Sequence, residues 1–299
     1  MPSPAAVLVS NGAVAPHTPP SAAAFLDSTP GAYTTVRGTL PWWTRHLRRL
    51  AESATLLAHS HPHLLGLPVP RSRALDLDFS SIRSLVNPSV TKDEDLALTA
   101  LVRGAGADSV SGGAVLDVFV HVGTYSPPVF GESGAGLAVA GRGRDAATAR
   151  LLGSQLTNDG DHILQGAVTN FFVVCPQEES KRNGQFSNQT MATKFEVQTA
   201  PLSDGVLPGI IRQIVIEVCH DIGILVRETS PSWSKNEFWK EAFVTSSLRF
   251  IQHDMQSKTW SDVPWAVKKF QGAGCITTQI QREILKRARR EEYDINSLL

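Results

Sequence analysis

A phosphate-sized anion is held by converging N–H donors, hydroxyls and usually one cation, and two stretches of this chain offer the donors. In Leu207-Pro-Gly-Ile-Ile-Arg212 a proline precedes an apolar run at helical spacing. Pro in the first turn has no N–H to lose. It leaves the amides of Gly209, Ile210 and Ile211 without intrahelical acceptors, at the positive end of the helix dipole. In Phe243-Val-Thr-Ser-Ser247 an apolar strand runs into two hydroxyls, Ser246 and Ser247, residues that cap and turn the chain. Alone, each stretch is ordinary: Pro-Gly opens many helices and Ser-Ser fills many turns. Other chemistry-bearing residues point elsewhere. His59, His61 and His63 alternate as metal ligands can on an extended chain, but no neighbouring Cys or carboxylate completes a site, and no metal is expected. Gly141-Arg-Gly-Arg-Asp145 resembles an anion nest without the strand-to-helix context of a nucleotide loop and reads as a turn. Cys219, on an apolar helix face, reads as inert core. Trp42 and Trp43 read as packing against the domain or a partner subunit.

The elements that must place these residues follow from periodicity. Leu47, Leu50, Ala51, Ala54 and Leu57 define a helix over 45–58. Thr91 and Glu94 form a capping box, which predicts a second helix carrying Leu96, Leu98, Leu101 and Val102. Residues 104–114 are Gly- and Ser-rich and read as a loop. Leu116, Val118, Val120 and Val122 alternate with Asp117, Phe119 and His121, the pattern of a strand with one apolar face. Residues 126–145 read as a Pro/Gly-rich connector. Beyond them, 168–174 reads as a buried strand. A helix starts at Pro208, buries Ile210, Ile211, Ile214, Val215, Val218 and Cys219, and ends at Gly223. Strands are expected over 224–229 and 242–246, and a charged amphipathic helix over 280–293. The fold class is α/β in an α+β two-domain arrangement: a small N-terminal domain over 1–125, the connector, and a larger C-terminal domain over 146–299. The cleft between the domains is expected to hold a ligand.

With 28 basic and 28 acidic residues the formal net charge is zero, so no basic field points to nucleic acid or an anionic membrane. No apolar run reaches bilayer length, and the N-terminus has no basic n-region or Arg-rich amphipathic stretch. The odd total of three cysteines argues against a disulfide framework and for a reducing, cytoplasmic setting.

Five segments in one order resemble the class IV aminotransferases, the pyridoxal-phosphate enzymes of fold type IV. They are Asp27-Ser-Thr-Pro-Gly-Ala-Tyr-Thr-Thr-Val-Arg37, His46-Leu-Arg-Arg-Leu50 with Ser53, Gln165-Gly-Ala-Val-Thr-Asn-Phe-Phe172, Leu207-Pro-Gly-Ile-Ile-Arg-Gln213 and Glu241-Ala-Phe-Val-Thr-Ser-Ser-Leu-Arg249. Asn158-Asp-Gly-Asp161, running into Thr-Asn-Phe-Phe, is similar to plant proteins described as D-amino-acid aminotransferase-like. The resemblance implies the D-amino-acid aminotransferase-like fold and pyridoxal 5′-phosphate as cofactor. It implies an amino or keto acid as substrate, acted on by a transaminase of branched-chain or D-amino acids or by an aminodeoxychorismate lyase, and a homodimer. It also assigns residues: Arg49, Gly209, Ile210, Ile211, Ser246 and Ser247 to the phosphate, Gln165 to the pyridine nitrogen, and Asn170 to the cofactor surroundings.

Three positions depart from that family. No lysine occurs between Lys92 and Lys181, the stretch where the family carries its Schiff-base lysine, and Arg150 falls near the expected place. A guanidinium stays protonated and cannot replace that amine. The stretch from Arg150 to Gln165 is also short for the family, so the C-terminal domain reads as truncated near 146–164. Gln165 stands where the family has Glu, and a neutral amide holds the ring less cationic. Ile211 stands where many members have Thr, which removes a hydroxyl but keeps the amide. No catalytic residue is therefore assigned. Two readings stay open: a shortened form of an active enzyme, or a catalytically silent member that dimerises as a binding or regulatory module.

Overall fold

The structure, a computed structural model, describes residues 6–11, 13–15, 19–28, 31–37, 41–60, 96–104, 116–126, 130, 135–141, 154–166, 168–177, 194–259 and 267–291. Its contacts divide the chain into two units, Met1–Pro127 with Ala288–Leu299, and Pro128–Arg287. The last residues thus group with the first unit, whereas the sequence reading kept all of 146–299 together.

The first unit is built on a five-stranded antiparallel sheet. Its strands are β1 (Val7–Ser10), β2 (Ala13–Val14), β3 (Ala32–Arg37), β4 (Leu96–Gly104) and β5 (Leu116–Thr124), in the order β2-β1-β5-β4-β3. One face presents Val9, Ala32, Val36, Leu98, Ala100, Val102, Val120 and Val122. Helix α2 (Trp43–Ser60) lays Trp43, Leu50 and Ala54 into that face and leaves Arg48 and Glu52 in solvent. The other face meets helix α1 (Ala22–Ser28), whose Phe25 ring lies 5.9 Å from Phe119 and 6.2 Å from His121.

Strand β4 corrects the sequence reading, which made Leu96, Leu98, Leu101 and Val102 helical. Leu-Ala-Leu-Thr-Ala-Leu-Val satisfies helical spacing and alternation equally well. Pairing on both sides, with β3 and β5, decides for the strand, and Thr99, Ala100, Leu101 and Val102 are buried on both faces. A doubly covered strand loses the polar alternation that would distinguish it from a helix. The proposed capping box at Thr91 and Glu94 lies outside the described residues, as do 105–114 of the proposed loop.

The second unit carries a nine-stranded sheet of β6 (Ala135–Gly141), β7 (Ser154–Thr157), β8 (Ile163–Gly166), β9 (Asn170–Pro176), β10 (Phe195–Thr199), β11 (Leu225–Glu228), β12 (Glu241–Ser246), β13 (Phe250–Thr259) and β14 (Val267–Lys269). Strands β9, β12, β13, β6, β7 and β8 pair in succession, and β8 pairs back to β9 through Gln165 and Asn170, which closes a six-stranded ring. Strands β10 and β11 extend the sheet from β9, and β14 adds to β13. Strand β6 is a second correction: seven residues inside the supposed connector 126–145 form a paired strand. Helices α3 (Ile210–Asp221) and α4 (Cys275–Arg290) complete the unit. Arg287 ties them together through Glu217 and Asp221. Glu241 caps α4, accepting from the Ile276 and Thr277 amides at 3.0 and 2.6 Å and from the Thr277 hydroxyl at 2.6 Å.

Helix α3 buries all six residues expected of it, Ile210, Ile211, Ile214, Val215, Val218 and Cys219. Gly223 follows at φ +74°, and the Ile224 amide returns to the Cys219 carbonyl at 2.8 Å, a left-handed closure that glycine adopts without strain. Burial raises the Cys219 thiol to about 12, which fits an inert core position. Strand β9 starts two residues later than expected, since Val168 lies exposed in the turn before it.

Candidate functional site

The expected cradle residues of the second unit come together around one tripeptide, Leu207-Pro-Gly209. Gln165 on β8 and Asn170 on β9 are directly paired across the seam of the ring, and both are buried. Gln165 Oε1 accepts from the Leu207 amide at 2.5 Å, and Asn170 Nδ2 donates to the Leu207 carbonyl at 2.8 Å. The two polar groups of one peptide residue are thus pinned by two side chains of the sheet. Asn170 Oδ1 also lies against Gly209, where a Cβ would come within 2.1 Å of it. Glycine is needed there because of that close approach, since its φ of −63° suits any residue.

The sequence reading left three amides free at this helix start, and the structure corrects it to two of the three. Gly209 donates to the Leu207 carbonyl at 2.8 Å, a tight turn that places the first helical residue at Ile210 rather than Pro208. Ile210 and Ile211 donate to nothing among the described residues, as the first turn of a helix requires. Their side chains face the core, at 4% and 2% exposure, so only the backbone of each is offered.

Strand β12 brings the hydroxyls alongside. Thr245 stands directly opposite Asn170 in the antiparallel ladder, and Ser246 and Ser247 follow it. Ser246 Oγ accepts from the Arg249 amide at 3.2 Å and shapes the turn into β13. Phe172 and Phe243, next in register, stack at 4.9 Å and make this part of the wall apolar.

Arg49 belongs to the first unit. It is half-buried on α2, while its neighbour Arg48 is exposed. Burial pulls the Arg49 guanidinium below its ordinary value, and Tyr33 and Glu52 pull it back. His46, in the same helix, is a structural residue: its Nδ1 meets the Thr34 hydroxyl at 2.8 Å, and burial, with the Arg49 charge, holds it down to about 3 and therefore neutral. Arg150 lies outside the described residues, as do 146–153 of the shortened segment, residues 142–145 of the Gly/Arg turn, and His61 and His63. Among the described residues no group of three or more His, Cys, Asp or Glu side chains could hold a metal ion, and no helix is long and apolar enough to cross a membrane.

Two residues escaped the sequence reading. Arg212 is buried and bonds the Ala200 carbonyl at 2.8 Å and Glu228 at 2.6 Å, which fixes the first turn of α3 to the sheet. No sequence spacing links it to Glu228. Thr245 is the other; its parity with inward-facing Phe243 was the available signal.

Chemically, the arrangement offers unpaired amides at a helix N-terminus with a neutral side-chain amide behind them. Two free amides at a helix N-terminus, two serines and a glycine that lets backbone and sheet approach closely fit the phosphate end of pyridoxal phosphate. None of the elements that form the cradle contains a lysine, and the sequence has none from 93 to 180.

Residues 144–253 match the family described as amino-transferase class IV, a span that includes every cradle residue of the second unit. No curated protein matches the chain in sequence. Solved structures do match in fold. A fold IV transaminase from Curtobacterium pusillum superposes with a TM-score of 0.63 at 16% identity over 93% of this chain and 98% of that one. The branched-chain amino acid aminotransferase of Escherichia coli gives 0.60 at 18% over 97% and 96%. An aminotransferase from Brucella abortus bound to the co-factor PLP gives 0.59 at 16% over 95% and 99%. At these identities the structural likeness establishes the fold.

Proposed function

We propose that this chain, which carries the class IV aminotransferase signature and the fold type IV architecture, binds pyridoxal phosphate through its phosphate, without a covalent lysine anchor. The observation that supports this reading is the pinned Leu207-Pro-Gly209 turn, which opens a helix whose Ile210 and Ile211 amides have no partner among the described residues. Arg49 supplies the cation, and Gln165 and Asn170 fix the turn. When bound, the cofactor serves as an electron sink for amino and keto acids. Gln165 is neutral and holds the ring nitrogen less cationic than a carboxylate does, which weakens that sink. The reaction class is transamination or the related lyase chemistry on a small amino or keto acid, carried out in the cytoplasm by a homodimer, and this chain lacks the residue that holds the reacting proton.

Equilibrium dialysis of the purified chain against pyridoxal phosphate tests the reading. Saturable binding near one per chain is expected, and borohydride reduction should leave no pyridoxyl group on any lysine. Absence of binding defeats the cradle. Stoichiometric labelling of Lys194 or Lys235 defeats the non-covalent reading. The missing lysine also supports a second reading, a catalytically silent dimerising module that regulates an active relative; turnover by the pure chain would rule it out.

A further inference from the structure

We infer that the hydroxyl of Thr245 is a further donor to the bound anion, on the sheet side of the cradle. This rests on the phosphate-cradle reading above and adds a residue to it.

Buried hydroxyls are nearly always hydrogen-bonded. Six threonines are buried among the described residues: Thr34, Thr99, Thr157, Thr199, Thr245 and Thr277. Thr34 meets His46, Thr99 meets Thr35, Thr157 bonds Asp159, Thr199 donates to the Phe171 carbonyl and Thr277 bonds Glu241. Among the described residues Thr245 Oγ1 has no partner, although the residue is only 2% exposed.

The position of Thr245 indicates what that hydroxyl faces. Directly opposite residues in an antiparallel pair project to the same side of the sheet. Thr245 stands opposite Asn170, and the Asn170 side chain reaches the Leu207 carbonyl and abuts Gly209. The Thr245 hydroxyl therefore shares the face covered by the start of α3, where the Ile210 and Ile211 amides are unpaired. Its neighbours along that face, Phe172 and Phe243, carry no acceptor. A donor with no acceptor among the described residues, on the face of two unpaired amides, suits an oxyanion such as a phosphate monoester. His253, opposite Phe243 on the same face, is also buried with both ring nitrogens unpartnered among the described residues, and it meets the Phe130 ring edge-on at 5.7 Å.

Thr245→Val removes the hydroxyl at nearly constant shape and, having no internal bond to break, should fold; Thr245→Ser keeps the hydroxyl. Calorimetric titration of the full-length wild type and both variants with pyridoxal phosphate, inorganic phosphate and pyridoxal separates the possibilities. Thr245→Val should weaken both phosphate-bearing ligands about tenfold, the effect of one hydrogen bond to a charged group, and leave pyridoxal unchanged. Thr245→Ser should recover most of the loss. Equal phosphate affinity in Thr245→Val and wild type overturns the inference and leaves the cradle standing. An equal loss for pyridoxal also overturns it, by placing the hydroxyl at the ring. Wild type that binds phosphate but not the cofactor defeats the cofactor reading only, and the phosphate comparison still decides for Thr245. Wild type that binds neither defeats both.

Discussion

Replacing Gly209 with Ala tests the contact that holds the cradle to the sheet. The backbone there tolerates alanine, so the cost comes from the new Cβ, which would sit 2.1 Å from Asn170 Oδ1 and 3.3 Å from its Cγ. Asn170 must swing away, and its 2.8 Å bond to the Leu207 carbonyl breaks. Losing that bond and leaving the buried Asn170 amide without its acceptor costs about 2–3 kcal/mol, while the Leu207 carbonyl keeps the Gly209 amide. Reduced freedom of the unfolded chain returns about 0.5–1 kcal/mol. The net expectation is a destabilisation of about 1–2 kcal/mol. Asn170→Ala alone breaks the same bond and opens a small void, for about 2 kcal/mol. In the double variant the alanine methyl occupies space that Asn170 has vacated, so the second change should add almost nothing. Urea unfolding of all four forms gives the cycle, with an expected coupling of about 1–2 kcal/mol. Additive losses, or a Gly209→Ala protein as stable as wild type, would refute the close approach.

Arg49→Ala should weaken pyridoxal phosphate by about 1.5–3 kcal/mol and the exposed Arg48→Ala by less than about 0.5 kcal/mol; equal losses in a fluorescence titration would mean a field effect and not a phosphate ligand. His46 is held from 6.5 down to about 3 in the folded chain. Its contribution to stability is complete above pH 6.5 and is lost as pH falls from there toward 3, at up to about 1.4 kcal/mol per pH unit. His46→Gln should flatten that part of the stability–pH curve, and an unchanged slope would assign the acid sensitivity to other groups.

Where local pattern and tertiary demand coincide, the sequence was readable. Val118, Val120 and Val122 alternate because one face of β5 meets α2, and the apolar stripe of α3 is continuous from Ile210 to Cys219 for the same kind of reason. Leu98 to Val102 misled because burial on both faces of β4 erases alternation. The strand over 135–141, Ala-Gly-Leu-Ala-Val-Ala-Gly, hides among glycines because its pairing partners, β13 and β7, are separated from it in the chain. Ordered motifs singled out Gln165, Asn170 and the helix start, which the fold brings together. That Gln165 and Asn170 grip one residue, Leu207, depends on a strand register across the ring and cannot be read from spacing.

Among the described residues the ring of the second unit is shut by one ladder rung, Gln165 opposite Asn170. Away from that rung β8 and the residues just before it turn to other partners: the Ile163 amide donates to the Pro231 carbonyl, the Trp233 amide to the Asp161 carbonyl, and the Ser232 hydroxyl to Asp161. The wall is therefore a hem, stitched at one point and faced with a separate strip of chain. In native-state hydrogen exchange such a hem is a natural place for early opening, because one ladder rung, the Gly166–Thr169 backbone bond and the turn between them join β8 to β9. The Leu207 amide, fastened to Gln165, would exchange with it. An anion held at the start of α3 should then slow exchange along β8 and in the 231–233 strip, neither of which it touches.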